Sequence, residues 1–174
     1  MFRKKTISIA AAILFAPFTA GAQTAPPNPS AQATTVLQGQ SITVDYSAPS
    51  LRGRSILGGL IPIDKVWGLG DGTAAILKTP IGLKIGDVDV PAGTYTLYST
   101  ITPKGYWLII NKQTKQSGAD YDQKLDLGRI RLNNNDTDGP IERFLVDFEY
   151  THDKKTELHL KWGYSESWVH ITAQ

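Results

Sequence analysis

Three side chains near the C-terminus have the types that bind zinc or exchange protons, namely Glu149, His159 and His170. Two imidazoles and a carboxylate form a common ligand set for a transition metal, and a His/Glu pair can act as general acid and base. Side chains directly opposite each other in an antiparallel pair have Cβ atoms about 5 Å apart, so both imidazoles can reach one ion. The three residues therefore predict a zinc site or an acid–base pair, and a solvated sheet face is the alternative.

A β-hairpin must bring these residues together. The segment ELHLKWGYSESWVHI alternates apolar and polar residues on both sides of GYSES, which predicts two antiparallel strands. The register that aligns the inward aliphatic residues sets His159 opposite His170 on the outward face. For the preceding strand we favour the register that sets Glu149 against His159, because the alternative sets Glu149 against Glu157 and opposes two negative charges.

Strand patterns extend through the rest of the chain. Alternating segments such as SITVDYS and GTYTLYSTI are separated by Gly, Pro, Asn and Asp, and none shows a helical period over about ten residues. The turn TPKG predicts a hairpin that pairs Tyr95–Ile101 with Tyr106–Asn111. These features indicate an all-β fold, a jelly-roll-like antiparallel β-sandwich, formed by a single domain over residues 35–174.

One face of GTYTLYSTI is a candidate ligand platform. It carries Thr94, Thr96, Tyr98 and Thr100, and an aromatic ring among hydroxyl groups suits a sugar or an amphiphile. Threonine is also common on a solvated sheet face, so an ordinary strand is the favoured interpretation. Tyr98 and Thr96 are the candidate ligand contacts on this face.

Two loop segments carry charged residues that suit a polar or anionic ligand. LRGR supplies Arg52 and Arg54, whose guanidinium groups can pair with a carboxylate or a phosphate. GLGDG supplies Asp71, but this segment lacks the lysine and the helix of a phosphate loop, so we favour a simple turn for it.

Two further motifs are incomplete. NNNDTDGP has oxygen-bearing residues at alternate positions of a calcium loop, but Leu145 stands where the bidentate glutamate is required. GYSES begins like a nucleophile elbow and lacks its final glycine.

The chain contains no cysteine, which excludes a cysteine nucleophile and a Cys-ligated zinc site. No complete catalytic motif is therefore present.

The N-terminus has the pattern of a secretory leader. RKK precedes an apolar run over residues 7–18, and AGA then fits a signal peptidase site, so residues 1–22 are a predicted signal peptide cleaved after Ala22. The run is shorter than the roughly 20 residues that a membrane span needs, and we expect no transmembrane segment after it. Residues 23–34, rich in Pro, Ala and Gln, predict a disordered tether.

The charge balance limits the class of partner. The whole chain carries a formal net charge of +2 at pH 7, but three of its cations lie in the leader, so the exported part is near neutral. This balance gives no electrostatic reason to bind nucleic acid or an anionic membrane surface. The expected partner is a small ligand, a glycan or a protein of the cell envelope.

Five stretches, taken in order, cover most of residues 36–171: VDYSAPSLRGRSILGGLIPIDKVWGLG, VPAGTYTLYST, WLIINK, ERFLVDFE and LHLKW. Together they resemble an exported bacterial family catalogued as domain of unknown function 2911. The resemblance implies an exported or periplasmic, β-rich protein and no activity that can be carried over. The family tends to continue after its tryptophan with an arginine and an Asn-Glu pair, whereas Trp67 precedes GLGDG here, so only Asp71 could serve a polar site at this point.

We therefore interpret the chain as an exported, non-enzymatic module that binds a ligand or a partner. The lack of a complete catalytic motif favours this interpretation over the alternative, a metal-dependent or acid–base hydrolase that uses Glu149, His159 and His170. The two interpretations differ in whether these three side chains converge at a cavity or point separately into solvent.

Overall fold

The computed structural model describes residues 28–57, 59–61, 63–114 and 120–174. The predicted signal peptide and the first part of the predicted tether lie outside the described residues. The described part is almost entirely β-structure, with a single short 3-10 helix at Gln123–Leu125. Its strands are β1 (Ser30–Leu37), β2 (Gln40–Ser47), β3 (Val66–Trp67), β4 (Ala75–Thr79), β5 (Leu83–Ile85), β6 (Val88–Val90), β7 (Gly93–Thr102), β8 (Gly105–Asn111), β9 (Asp126–Arg131), β10 (Asn133–His152) and β11 (Lys155–Ala173).

The strands form two antiparallel sheets. The first sheet has the order β1-β2-β4-β7-β8-β9, with the short β3 also paired to β7, and the second has the order β10-β11-β5-β6. One continuous apolar core takes side chains from both sheets. The predicted antiparallel β-sandwich is therefore confirmed.

The alternating pattern of the sequence explains how each sheet contributes to this core. In β2, Ile42, Val44 and Tyr46 are buried while the residues between them stay partly exposed. In β11, Leu158 and Leu160 face the same core from the second sheet. Burying one such aliphatic side chain contributes about 1.5–3 kcal/mol, so the inward face of each strand fixes its orientation.

The β7–β8 hairpin forms where the TPKG turn predicts it. Thr102 pairs with Gly105, which leaves Pro103 and Lys104 as the two turn residues. The Lys104 N–H donates to Thr102 Oγ1 at 3.1 Å, and Gly105 has a φ of 124° that favours glycine. This hairpin places the central strands of the first sheet side by side.

The C-terminal strand β11 folds back on itself and makes the second predicted hairpin. The Ala173 N–H donates to the Lys154 carbonyl at 2.7 Å, so the end of β11 lies beside its start. Gly163, at the tip, has a φ of 58°. The ring of His159 lies beside that of Trp168 and not opposite His170, so the predicted register of this hairpin is wrong by two residues.

The predicted register between β10 and β11 is also wrong. Glu149 pairs with Glu157, and Asp147 pairs with His159, which is the alternative that the sequence argument disfavours. A register irregularity follows Glu149, and Tyr150 takes a φ of 51° within it. A shift of two residues keeps the same side chains on the outward face. A prediction can therefore assign the face of each residue correctly and still assign the wrong cross-strand partner.

The first strand begins earlier than composition predicts. β1 starts at Ser30 and pairs along its length with β2, from Ser30 opposite Ser47 to Leu37 opposite Gln40. Residues 30–34, assigned to the tether from their Ala and Gln content, therefore belong to the first sheet. The domain does not start at Thr35, because β2 offers these residues a full hydrogen-bonding ladder.

Candidate functional site

A cavity of about 480 Å³ opens between the two sheets. Most of the side chains that line it are aliphatic or aromatic, from both sheets and from the segment that joins β2 to β3. The cavity lies within the range of about 300–1,000 Å³ that is typical of small-molecule sites. It is therefore a candidate ligand site.

Three aromatic side chains form the rigid part of the wall. The ring of Trp67 stacks on that of Trp162, with centroids 5.6 Å apart and planes at 17°, and Phe144 meets Trp67 edge-on at 5.0 Å. The indole N–H of Trp67 donates to Gly70 O at 2.8 Å, and that of Trp162 donates to Glu142 O at 3.3 Å. Because packing and hydrogen bonds hold both indoles, this wall is formed before any ligand binds.

The segment between β2 and β3 forms another wall and joins the two sheets. The Leu51 N–H donates to Glu142 O at 2.9 Å in the second sheet, and the Asp64 N–H donates to Ile101 O at 2.8 Å in the first. Between these anchors, Ile56 and Ile61 line the cavity. A connection of this length in a compact domain commonly serves a binding function.

Arg54 lies at the rim of this cavity and also lines a second one. Its Nε donates to Leu51 O and its Nη2 to Ser50 O, both at 3.0 Å, so the guanidinium is oriented by the loop backbone. The second cavity, about 340 Å³, is lined by Arg54 and Asp71 together with both stacked indoles. The structure therefore brings two predicted site residues to one place.

Asp71 and Arg52 have structural contacts of their own. The carboxylate of Asp71 accepts from the Asn28 amide, and its backbone N–H donates to Ser47 Oγ at 2.6 Å. The Arg52 N–H donates to Glu142 Oε1 at 2.9 Å, and Arg52 lines neither of these two cavities. Arg52 therefore contributes to neither cavity.

The predicted ligand platform on β7 is covered by the chain. Tyr98 is 0% exposed, its hydroxyl donates to Asp120 O at 3.3 Å, and Tyr121 meets its ring edge-on at 5.0 Å. Thr96 is also buried and donates to Gln113 O at 2.5 Å. The expectation of a solvated face is wrong for these two residues, which lie on the opposite face of β7 from the large cavity.

Hydrogen bonds in the segment that follows β8 hold Tyr121 in place over Tyr98. The Tyr121 hydroxyl donates to Asp126 Oδ2 at 2.6 Å, and Arg129 Nη2 donates to Tyr121 Oη at 2.5 Å. Burial, followed by the hydrogen bond to Asp126, raises the pKa of Tyr121 to about 12. The buried Asn111 also donates to Asp126 Oδ1 at 2.8 Å.

His159 is the centre of a charged cluster on the outward face of β10 and β11. It is 4% exposed, with Nδ1 at 2.7 Å from Glu166 Oε1 and Nε2 at 3.0 Å from Glu157 Oε2. Trp168 stacks on the imidazole, with planes at 10°. Both ring nitrogens therefore face carboxylate oxygens, which only accept hydrogen bonds.

Lys161 supplies a cation to the cluster. Its Nζ contacts Glu149 Oε1 and lies 3.0 Å from Glu166 Oε1. Burial opposes the charge of Lys161, but the hydrogen bonds to Glu149 and Glu166 outweigh it and raise the pKa of Lys161. Burial likewise opposes ionisation of Glu166, yet the bonds from Lys161 and His159 lower the pKa of Glu166.

The predicted Glu/His/His row is only partly assembled. His159 Nε2 lies 4.0 Å from Glu149 Oε2, whereas the side chain of His170 is 72% exposed and contacts Glu157 Oε1 at 3.1 Å. One ligand atom from each of Glu149, His159 and Glu166 lies within 4.8 Å of the others, so this trio could hold a metal. The ammonium of Lys161 already lies between the two carboxylates, and it would compete with a metal ion for them.

The segment with the incomplete calcium pattern rounds the tip of the β11 hairpin. Asp136 pairs with Ser165 on one side of the tip, and Ile141 pairs with Gly163 at the tip itself. The Asn134 amide donates to Ser165 Oγ at 2.8 Å and to Ser167 Oγ at 2.9 Å. The Asn134 side chain therefore links β10 to β11 by hydrogen bonds.

Sequence reasoning missed the residues that build the large cavity, above all Trp67, Trp162 and Ser99. One available indication is the segment SLRGRSILGGLIPIDK, which is apolar but interrupted by glycine and proline. An apolar segment that cannot form a regular strand must cover apolar surface elsewhere.

Comparison with known proteins supports the resemblance seen in the sequence. No curated protein and no solved structure matches the chain. In the described residues, no helix has the length and apolar character to span a membrane. Residues 28–171 match the family described as protein of unknown function (DUF2911), and the match covers the whole sandwich except its last residues, so the chain belongs to this family.

Proposed function

We propose that the protein is an exported, non-enzymatic module that binds a small apolar ligand in the 480 Å³ cavity between its sheets. The observation that carries this proposal is the preformed wall of Trp67, Trp162 and Phe144 at that cavity. Burial of apolar ligand surface against such a wall supplies the affinity, and a fixed wall costs little ordering on binding.

The lining also favours one kind of partner over the other expected ones. A glycan needs many convergent hydrogen-bonding groups, whereas most of the lining residues are aliphatic or aromatic and both indole N–H groups are already bonded to backbone carbonyls. A protein partner would need an accessible surface, and the apolar residues here line a concave site. A small ligand with an apolar body is therefore the partner that we propose.

Export rests on the N-terminal pattern of RKK, an apolar run and AGA, which we propose to be cleaved after Ala22. A domain with no cysteine loses nothing to disulfide exchange in an oxidising compartment. Mass spectrometry of the protein purified from the periplasmic fraction tests this, and a mature chain that still begins at Met1 would contradict it.

Ligand binding is tested with N-phenyl-1-naphthylamine, a neutral fluorescent apolar dye. Ile101 lines the cavity, so Ile101→Phe should fill part of it and weaken dye binding by at least about tenfold. Val36→Phe adds the same kind of ring at an exposed site outside that lining and serves as the control. Equal dye binding by both variants and the original protein would reject the cavity as the site.

A metal-dependent or acid–base hydrolase is the second candidate function. It is favoured by the trio of Glu149, His159 and Glu166, whose ligand atoms lie within 4.8 Å. The test is metal analysis of protein purified without chelator, together with zinc-dependent thermal melting. Bound metal, or a rise in Tm with zinc that His159→Ala abolishes and the exposed-site variant His170→Ala retains, would support this candidate over the first.

A further inference from the structure

Ser99 is a buried polar side chain whose hydroxyl faces the large cavity. It is 7% exposed, lies on the same face of β7 as the core residue Leu97 and lines the cavity. Among the residues that the structure describes, its hydroxyl makes no hydrogen bond. By contrast, the buried Ser167 on the opposite sheet accepts a bond from the Asn134 amide at 2.9 Å.

The Ser99 hydroxyl keeps access to the open space of the cavity, because every fully buried side-chain nitrogen or oxygen among the described residues has a hydrogen-bond partner. A ligand that fills the cavity would exclude water from this hydroxyl. Leaving the hydroxyl without a partner would then cost free energy, so a ligand atom that bonds to it is favoured.

The neighbours of Ser99 determine what kind of atom can do so. Ile101 and Leu132 line the cavity from the first sheet, and Leu160 lines it from the second, so the surroundings suit an aliphatic body. Arg54 supplies the cation of the lining, but its guanidinium is bonded to the Leu51 and Ser50 carbonyls, and the lining also includes the carboxylate residue Asp136. A charged group beside Ser99 would lose its hydration without a counter-ion.

We infer that the cavity takes a neutral aliphatic molecule with one hydrogen-bonding oxygen, such as an alcohol, a ketone or an ester, and that this oxygen bonds to Ser99 Oγ. The inference rests on the proposed function, because it names the class of ligand for the same cavity. The aliphatic body lies between the two sheets, and the oxygen lies against β7.

Calorimetric titration of the exported protein with three matched probes tests the inference. Cyclohexanol carries the oxygen, cyclohexane lacks it, and cyclohexanecarboxylate at pH 8 carries a charge in its place. We expect cyclohexanol to bind best, and Ser99→Ala to weaken it by about three- to tenfold. Ser99→Ala should leave cyclohexane binding unchanged and should not lower the Tm of the free protein, because it removes an unbonded oxygen.

The outcomes separate the inference from the function on which it rests. If all three probes bind alike and Ser99→Ala changes none of them, the ligand class is wrong and the cavity remains a binding site. If Ser99→Ala lowers the Tm and leaves binding unchanged, the hydroxyl has a structural partner such as an ordered water, and the inference fails. If no probe binds and Ile101→Phe does not affect dye binding, the proposed function itself fails.

Discussion

Trp67 in the first sheet stacks on Trp162 in the second, with ring centroids 5.6 Å apart. The pair joins the sheets beside the large cavity and contributes to the lining of both cavities described above. Stability and the proposed ligand binding therefore involve the same two side chains, so both should be measured for variants at these positions.

Removal of one indole should destabilise the sandwich. Trp162→Ala leaves a void against Phe144 and Trp67, and we expect it to lower the free energy of unfolding by about 3–5 kcal/mol. Urea denaturation measures this change. Tyr164→Ala is the control, because Tyr164 is 63% exposed and its loss should change stability by no more than about 0.5 kcal/mol. Similar losses for the two variants would contradict the assigned packing.

The two outward histidines should differ sharply in their effect on stability. His159→Ala removes a buried ring that stacks on Trp168 and bonds to Glu157 and Glu166, so we expect a loss of about 3 kcal/mol. His170→Ala removes an exposed ring and should cost no more than about 0.5 kcal/mol. Denaturant unfolding at pH 7 compares them, and a larger loss for His170→Ala would reject the cluster geometry.

The cluster should also contribute to the stability lost in acid. The folded-state pKa of Glu166 lies below its ordinary value of 4.5, so its contribution is present above that pH and is lost as the pH falls through the folded-state pKa. Glu166→Gln should therefore flatten the dependence of unfolding free energy on pH below about 4.5. Lys161→Met should flatten it as well, because the ammonium helps to lower that pKa. If the plots of unfolding free energy against pH for both variants run parallel to that of the unmodified protein, Glu166 does not contribute to the stability lost in acid.

The tip of the β11 hairpin should require glycine. Gly163 has a φ of 58°, and an added Cβ would lie 2.5 Å from Ile56 Cδ1 in the cavity wall. Gly163→Ala should therefore cost about 1–2 kcal/mol from the left-handed backbone alone. Gly139→Ala nearby is the control, since its added Cβ would have nothing within 4 Å. Thermal melting compares them, and equal Tm values would refute the assigned turn.

The alternation of the sequence predicts which residues of β2 and β11 face the core between the sheets, and the turn motifs predict where the hairpins form. The TPKG turn fixes the β7–β8 pairing, because Pro103 and Lys104 leave only a short connection. The outward position of Glu149 and His159 also follows from alternation alone. These features are determined by residues that are close together in the sequence, so a local sequence pattern is enough to predict them.

The register between strands, and the burial of one face of β7 by another segment of the chain, could not be predicted from these patterns. A pair of charged residues directly opposite each other in a sheet changes stability by only about 0.2–1 kcal/mol. The repulsion between the paired residues Glu149 and Glu157 is reduced because the ammonium of Lys161, which is not the direct partner of either, contacts the Glu149 carboxylate. The burial of Tyr98 depends on Tyr121, which crosses the face of β7 from a separate segment. Such contacts between distant parts of the chain leave no periodic pattern.

The most direct test of the central claim uses the four tryptophans of the chain as reporters. Trp67 and Trp162 lie at the proposed ligand cavity, whereas Trp107 and Trp168 lie outside its lining. NMR spectra of the indole N–H groups during titration with cyclohexanol should show shifts of Trp67 and Trp162 and constant signals from the other two. Constant signals from Trp67 and Trp162, or a dominant shift at Trp168, would contradict binding between the sheets.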